Sequence, residues 1–121
     1  MGDERGSLVA IEGGSNSPFE IRRVYYIFDN KSEVQRGFHA HVNLKQIAIA
    51  IKGSCKFVLD DGVEKTEIQL NSPKSGLLIE GLIWREIKDF SEDCVLLVLA
   101  SEPYIETDYI RDYEIFKKLV T

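Results

Sequence analysis

The chain is poor in the features that would send it into a bilayer, out of a cell or onto a nucleic acid. No apolar run approaches the roughly 18 to 20 residues that cross a membrane. The start, Met1-Gly2-Asp3-Glu4-Arg5, is acidic and carries no apolar stretch of the export type. Only two cysteines occur, Cys55 and Cys94, far apart and without CxxC spacing, so two reduced, buried thiols are expected rather than a disulfide or a zinc site. These absences set the expectation of a cytoplasmic protein. Positive charge is in deficit, 15 Lys and Arg against 20 Asp and Glu for a net charge of −5. That argues against nucleic-acid or membrane partners, which need a basic face. A phosphate-bearing ligand would therefore be small and met by a few arginines, with Arg5, Arg22, Arg23, Arg36 and Arg85 as the supply.

Repeats, low-complexity stretches and long linkers are missing too, and 44% hydrophobic content over 121 residues suits one core, so a single domain over 1–121 is expected. What the chain does have is short strand-like runs: Arg23 to Phe28, Phe38 to His41, Gln46 to Ile51, Lys56 to Leu59, Glu64 to Leu70, Gly76 to Ile79, Trp84 to Lys88 and Val95 to Ala100. Turn chemistry at Asp29-Asn30, Lys52-Gly53-Ser54, Asp60-Asp61-Gly62 and Asn71-Ser72-Pro73 separates them. Only the tail reads as helix, with Thr107 as N-cap and Tyr109, Ile110, Tyr113, Phe116, Leu119 and Val120 at helical spacing. The pattern predicts an all-β jelly roll, an antiparallel sandwich or barrel, with a short C-terminal helix.

The two histidines of the chain both fall in Arg36-Gly37-Phe38-His39-Ala40-His41. On a strand, His39 and His41 share a face with Cα atoms about 6.8 Å apart, while Phe38 and Ala40 face the other way. Such a pair reads either as two pocket-lining imidazoles or as two partly buried histidines satisfied by neighbours. In Arg23-Val24-Tyr25-Tyr26-Ile27-Phe28, alternation puts Arg23, Tyr25 and Ile27 on one face and Val24, Tyr26 and Phe28 on the other. Taken alone this is as good a core strand as a site strand.

Gly37, His39, His41 and Gly53 resemble the first motif of the cupin superfamily, a glycine, His-x-His, an acidic ligand and a second glycine. The acidic position falls on Gln46, and no histidine is left for the second motif. With two good donors and a neutral amide, a site that needs about three or four imidazole and carboxylate ligands is incomplete, so no metal is expected. The imidazoles are then free for proton transfer, titrating near neutrality as a general base should.

A finer resemblance runs through Arg5-Gly6-Ser7-Leu8-Val9-Ala10-Ile11-Glu12, Arg23 to Tyr26, Arg36 to His41, Gly53-Ser54-Cys55, Leu59 to Gly62, Val98 to Ser101 and Glu106 to Arg111. In order and over nearly the whole chain, these resemble the thymidine-diphosphate-sugar 3,4-ketoisomerases, the WxcM-like sugar isomerase family. The resemblance implies a cofactor-free cupin jelly-roll homodimer that converts dTDP-4-keto-6-deoxyglucose to its 3-keto isomer in deoxyamino-sugar biosynthesis. It assigns His39 as the main base, His41 as the second imidazole, Tyr25 as the pocket tyrosine, and Arg5 and Arg85 as further site positions. Some members carry histidine where this chain has Arg85, and the combination of Arg5 with Arg85 leaves the configuration at carbon 4 of the product open. The alternative for Arg85 is a surface salt bridge with Glu86 or Asp89. Arg36 and Arg23 are candidates to hold the pyrophosphate, Gln46 to face the substrate, and Trp84 either to stack on a ring or, as favoured, to fill the barrel. Two other functions stay open, a 3,5-epimerase of the same sugar nucleotides and a non-catalytic nucleotide-sugar binding module.

Overall fold

The computed structural model describes residues 2–3, 6–12, 16–31 and 33–121. Strands β1 (Gly2–Asp3) and β2 (Gly6–Ser7) form a small hairpin. The remaining strands are β3 (Arg23–Ile27), β4 (Arg36–His41), β5 (Gln46–Lys52), β6 (Cys55–Asp60), β7 (Lys65–Leu70), β8 (Leu77–Ile79), β9 (Trp84–Lys88), β10 (Val95–Ala100) and β11 (Tyr109–Ile110), followed by helix α1 (Tyr113–Val120). They build two antiparallel sheets, one ordered β3-β10-β5-β8 and the other β11-β4-β9-β6-β7. All eight strands expected from the sequence are present, with ends displaced by two residues at most.

Alternation explains how the sheets close on each other. Ala48 and Ala50 of β5, Leu96 and Val98 of β10, Phe57 of β6, Leu70 of β7 and Ile87 of β9 point between the sheets, joined by Tyr25 and Ile27 of β3. Each large apolar side chain buried there contributes about 1.5 to 3 kcal/mol. The two cysteines are free and buried, as expected, and burial drives the Cys55 thiol up to about 12, so neither is a reactive thiolate at neutral pH.

The tail differs from expectation. Thr107 lies within a 3-10 turn (Glu106–Asp108), and Tyr109 and Ile110 are strand, pairing with His41 and Ala40 of β4. The helix starts only at Tyr113, where the Asp112 carboxylate accepts the backbone N–H groups of Glu114 and Ile115. A free β4 edge outcompetes the helical periodicity of Tyr109 and Ile110, since unpaired edge groups seek a partner strand. Helix α1 then lays Phe116 on the outer face of the second sheet, against Ala40, Trp84 and Ile110. The outer face of the first sheet is covered only in part, where Val9, Ala10, Ile11 and Pro18 line a shallow pocket with Ile47, Ile49 and Leu78; Val24, Tyr26, Phe28, Ile51 and Leu78 are still at least 40% exposed.

Candidate active site

A bulge at the start of β4 positions the histidines. Gly37 lies opposite Glu86, yet His39, two residues on, lies opposite Arg85, leaving Phe38 unmatched. In an unbroken ladder Phe38 would oppose Arg85 and His39 would oppose Trp84, on the helix-covered side of the sheet. The extra residue turns His39 onto the inward face it shares with Arg85. The backbone shows the cost: Phe38 has φ +59° and Gly37 φ +90°. A Cβ on Gly37 would fall 2.8 Å from the Arg85 carbonyl oxygen, so the strands approach this closely only because the residue is glycine. Phe38 therefore leaves the strand's regular alternation and is partly exposed.

Around this bulge the described residues assemble a cluster of rings and donors. The imidazoles of His39 and His41 meet edge to face with centroids 4.8 Å apart. The Tyr109 ring, from β11, lies 5.0 Å from His39 and 4.2 Å from His41, and the Arg111 guanidinium covers it at 4.2 Å. Opposite them runs a directed chain of hydrogen bonds. Arg85 Nη1 donates to Gln46 Oε1 at 2.7 Å, and Gln46 Nε2 donates to the Tyr25 hydroxyl oxygen at 3.0 Å. The amide is oriented by the guanidinium, which can only donate. Because the Tyr25 oxygen already accepts, its own proton is left to donate elsewhere.

Electrostatics follow from burial. His39 is driven down to about 4 by desolvation and the Arg85 charge, with a hydrogen bond to the Gly37 carbonyl opposing. His41, 1% exposed, is driven down to about 3 by burial and by Arg85. This corrects the expectation that both titrate near neutrality: both are neutral at pH 7. Burial pushes the Tyr25 phenol up. Arg85 is 2% exposed and lowered to about 10, still a cation at neutral pH, so the surface salt bridge considered for it does not form. Its Nε has no hydrogen-bond partner among the described residues. A cavity of about 420 Å³, within the range of small-molecule sites, opens beside the cluster and is lined by Arg23, His41, Leu44, Ile105, Asp108 and Tyr109 among others. His39, Tyr25, Gln46 and Arg85 are not among its walls.

The cupin resemblance raises a metal, and the residues do not fit one. Gln46 offers its oxygen to Arg85 rather than to an ion, and the buried guanidinium brings a positive charge where a cation would sit. No group of three His, Cys, Asp or Glu side chains among the described residues is arranged to hold a metal.

Of the residues singled out by sequence, the structure brings together His39, His41, Tyr25, Gln46 and Arg85. Arg23 stands at the edge of this group, its guanidinium 5.2 Å from the Tyr25 ring and its Nε buried without a hydrogen-bond partner among the described residues. Trp84 is not part of it: it faces α1, packing against Tyr113 and Phe116 and donating Nε1–H to Glu86 at 3.1 Å. Arg36 sits at the far end of β4, donating to Asn30 Oδ1 at 3.0 Å. Arg5 lies outside the described residues. Sequence reasoning missed Tyr109 and Asp108, whose carboxylate Oδ2 is 3.3 Å from His41 Nδ1. Their signal was the Glu106 to Arg111 segment, obscured by reading it as helix.

Comparison with known proteins finds relatives over nearly the whole chain. The family described as FdtA, WxcM-like, C-terminal matches residues 1–121. A curated TDP-4-oxo-6-deoxy-alpha-D-glucose-3,4-oxoisomerase from Aneurinibacillus thermoaerophilus is 57% identical over 118 residues, 98% of this chain and 85% of its own length. The 3,4-ketoisomerase QdtA from Thermoanaerobacterium thermosaccharolyticum, solved as a histidine-to-asparagine variant in complex with TDP-4-keto-6-deoxyglucose, superposes with a TM-score of 0.97 at 47% identity, over 99% of this chain and 87% of that one. A 3,4-ketoisomerase from Helicobacter canadensis gives a TM-score of 0.96 at 49% identity, over 99% and 90%. The family match over the full length, on a fold these relatives share, means that this chain belongs to the WxcM-like FdtA family.

Proposed function

We propose that the protein is a TDP-sugar 3,4-ketoisomerase that converts TDP-4-keto-6-deoxyglucose to the 3-keto isomer, with His39 as the carbon base. The observation that carries this reading is a neutral imidazole placed across from a buried guanidinium and a phenol whose proton is free to donate. The carbonyl at carbon 4 acidifies the hydrogen on carbon 3. His39 removes it, and the resulting enediolate carries negative charge toward Arg85 and the Tyr25 hydroxyl. The imidazolium returns the proton to carbon 4, while the hydroxyl proton passes from oxygen 3 to oxygen 4, a transfer assigned to His41 and Tyr25. Bonds and electrons balance within the sugar, so no cofactor is needed.

Burial and the Arg85 charge make His39 a weaker base but leave it unprotonated, and the negative charge of the developing enediolate raises its basicity as the proton arrives. An imidazole at about 4 is ready as a base at pH 7. Its protonated form gains a counter-charge only when the enediolate appears, which favours the intermediate over the resting state. Arg85 serves the oxyanion through its unpartnered Nε, and Arg23 at the cavity edge is suited to a phosphate of the diphosphate. No step of the chemistry is assigned to Trp84 or Arg36, which are held on the helix side and at the strand's far end.

The apolar residues left exposed on the outer side of the β3-β10-β5-β8 sheet support a homodimer, because Val24, Tyr26, Phe28, Ile51 and Leu78 together expose more hydrophobic surface than a monomer benefits from. Sedimentation at micromolar concentration should give twice the monomer mass; a monomer there contradicts it. The two buried free thiols fit a reducing cytoplasm.

The direct test is His39→Asn. Turnover of the 4-keto substrate should fall at least about 100-fold, the low end of general-base contributions, with ligand affinity retained. A variant that keeps its turnover removes His39 from the role.

A further inference from the structure

The oxygens of Asp108 are fixed by the turn that follows β4. The backbone N–H of Asn43 donates to Oδ1 at 2.8 Å and that of Leu44 to Oδ2 at 3.1 Å, while the N–H of Val42 donates to the Asp108 carbonyl at 3.1 Å. So anchored, the carboxylate cannot swing away, and Oδ2 stands 3.3 Å from Nδ1 of His41. The approach is long and poorly aligned, yet no better partner for either His41 nitrogen exists among the described residues. A neutral imidazole carries one N–H and one lone pair, and a carboxylate can only accept. Turning the lone pair of Nδ1 toward Oδ2 would set two acceptors against each other in a buried place. The arrangement therefore favours the proton on Nδ1 and an unprotonated Nε2. The Tyr109 ring, edge to face with the imidazole at 4.2 Å, keeps it from rotating out.

We propose that Asp108 is a positioning residue of the isomerase: it holds His41 as the Nδ1–H tautomer, so that Nε2 offers its lone pair to the sugar hydroxyl whose proton must move. This rests on the isomerase reading above. As that proton reaches Nε2, the imidazole becomes cationic and the contact with Asp108 tightens into a charge-assisted hydrogen bond, as contacts of this kind do in a reacting complex. In this role Asp108 acts through His41, much as a second-sphere carboxylate orients a histidine at a metal.

The tautomer can be read without turnover. The chain has two histidines, so 15N-histidine labelling with long-range proton–nitrogen NMR yields two imidazoles, and His39→Asn identifies the His41 signals. Wild-type His41 should show a pyrrole-type Nδ1 and a pyridine-type Nε2. In Asp108→Asn the amide can present an N–H to Nδ1, so the proton should move to Nε2. The kcat should then drop about 10- to 100-fold with KM little changed. A wild-type proton on Nε2 overturns the proposal, and so does a variant that switches tautomer while keeping kcat, or that loses activity with the tautomer unchanged. Should Asp108→Asn fail to fold, the wild-type spectrum still decides. A wild-type chain inactive on the keto sugar would sink the isomerase reading instead, whatever the tautomer.

Discussion

At the scale of single residues, the site is a study in what burial does to ordinary groups. His39 needs no unusual partner to be a ready base; desolvation and the Arg85 charge keep it unprotonated down to about 4. The sign of the pH dependence follows. The base works when neutral and is lost as pH falls through the folded value, so kcat/KM should hold from pH 8 down to roughly 5 and decline only below that. A limb near 6.5, the unperturbed histidine value, would contradict this placement of His39. Gln46 shows the limit of sequence reading. Its position beside the His-x-His motif was legible, and so was its unfitness as a metal ligand. Its role as a bridge between Arg85 and Tyr25 was not, because an arginine reads as surface until a sheet closes over it.

At the scale of elements, β4 matters most. Period-two alternation put His39 and His41 on one face, and the structure keeps them within 4.8 Å. That the face points inward rather than toward α1 depends on the Gly37–Phe38 bulge, which alternation cannot reveal. Gly37→Ala should therefore be costly twice. A non-glycine residue at positive φ costs about 1 to 2 kcal/mol in the backbone alone, and the added Cβ would meet the Arg85 carbonyl at 2.8 Å. The urea midpoint should fall accordingly, with activity falling further as His39 shifts off Arg85. An unchanged midpoint would show that the bulge carries no strain. The tail makes the opposite point. Helical spacing from Tyr109 onward was real for Phe116 and Val120, but Tyr109 and Ile110 were claimed by the β4 edge, and that pairing brings Asp108 and Tyr109 against the histidines.

At the scale of the whole molecule, the jelly roll was legible because eight short alternating runs between turn residues allow few other architectures. What stayed hidden was long-range: which sheet each run joins, and hence that residues as distant as Tyr25, Gln46 and Arg85 form one hydrogen-bonded chain. The sandwich supplies a dry wall of fixed donors, and on the proposed reading this wall moves a carbonyl by one carbon without metal or cofactor. Incubating the protein with TDP-4-keto-6-deoxyglucose in deuterated water and following the sugar ring by NMR tests that claim most directly. A 3-keto species should appear, with change confined to carbons 3 and 4. An unaltered sugar, or deuterium entering at carbon 5 as an epimerase would place it, would contradict it.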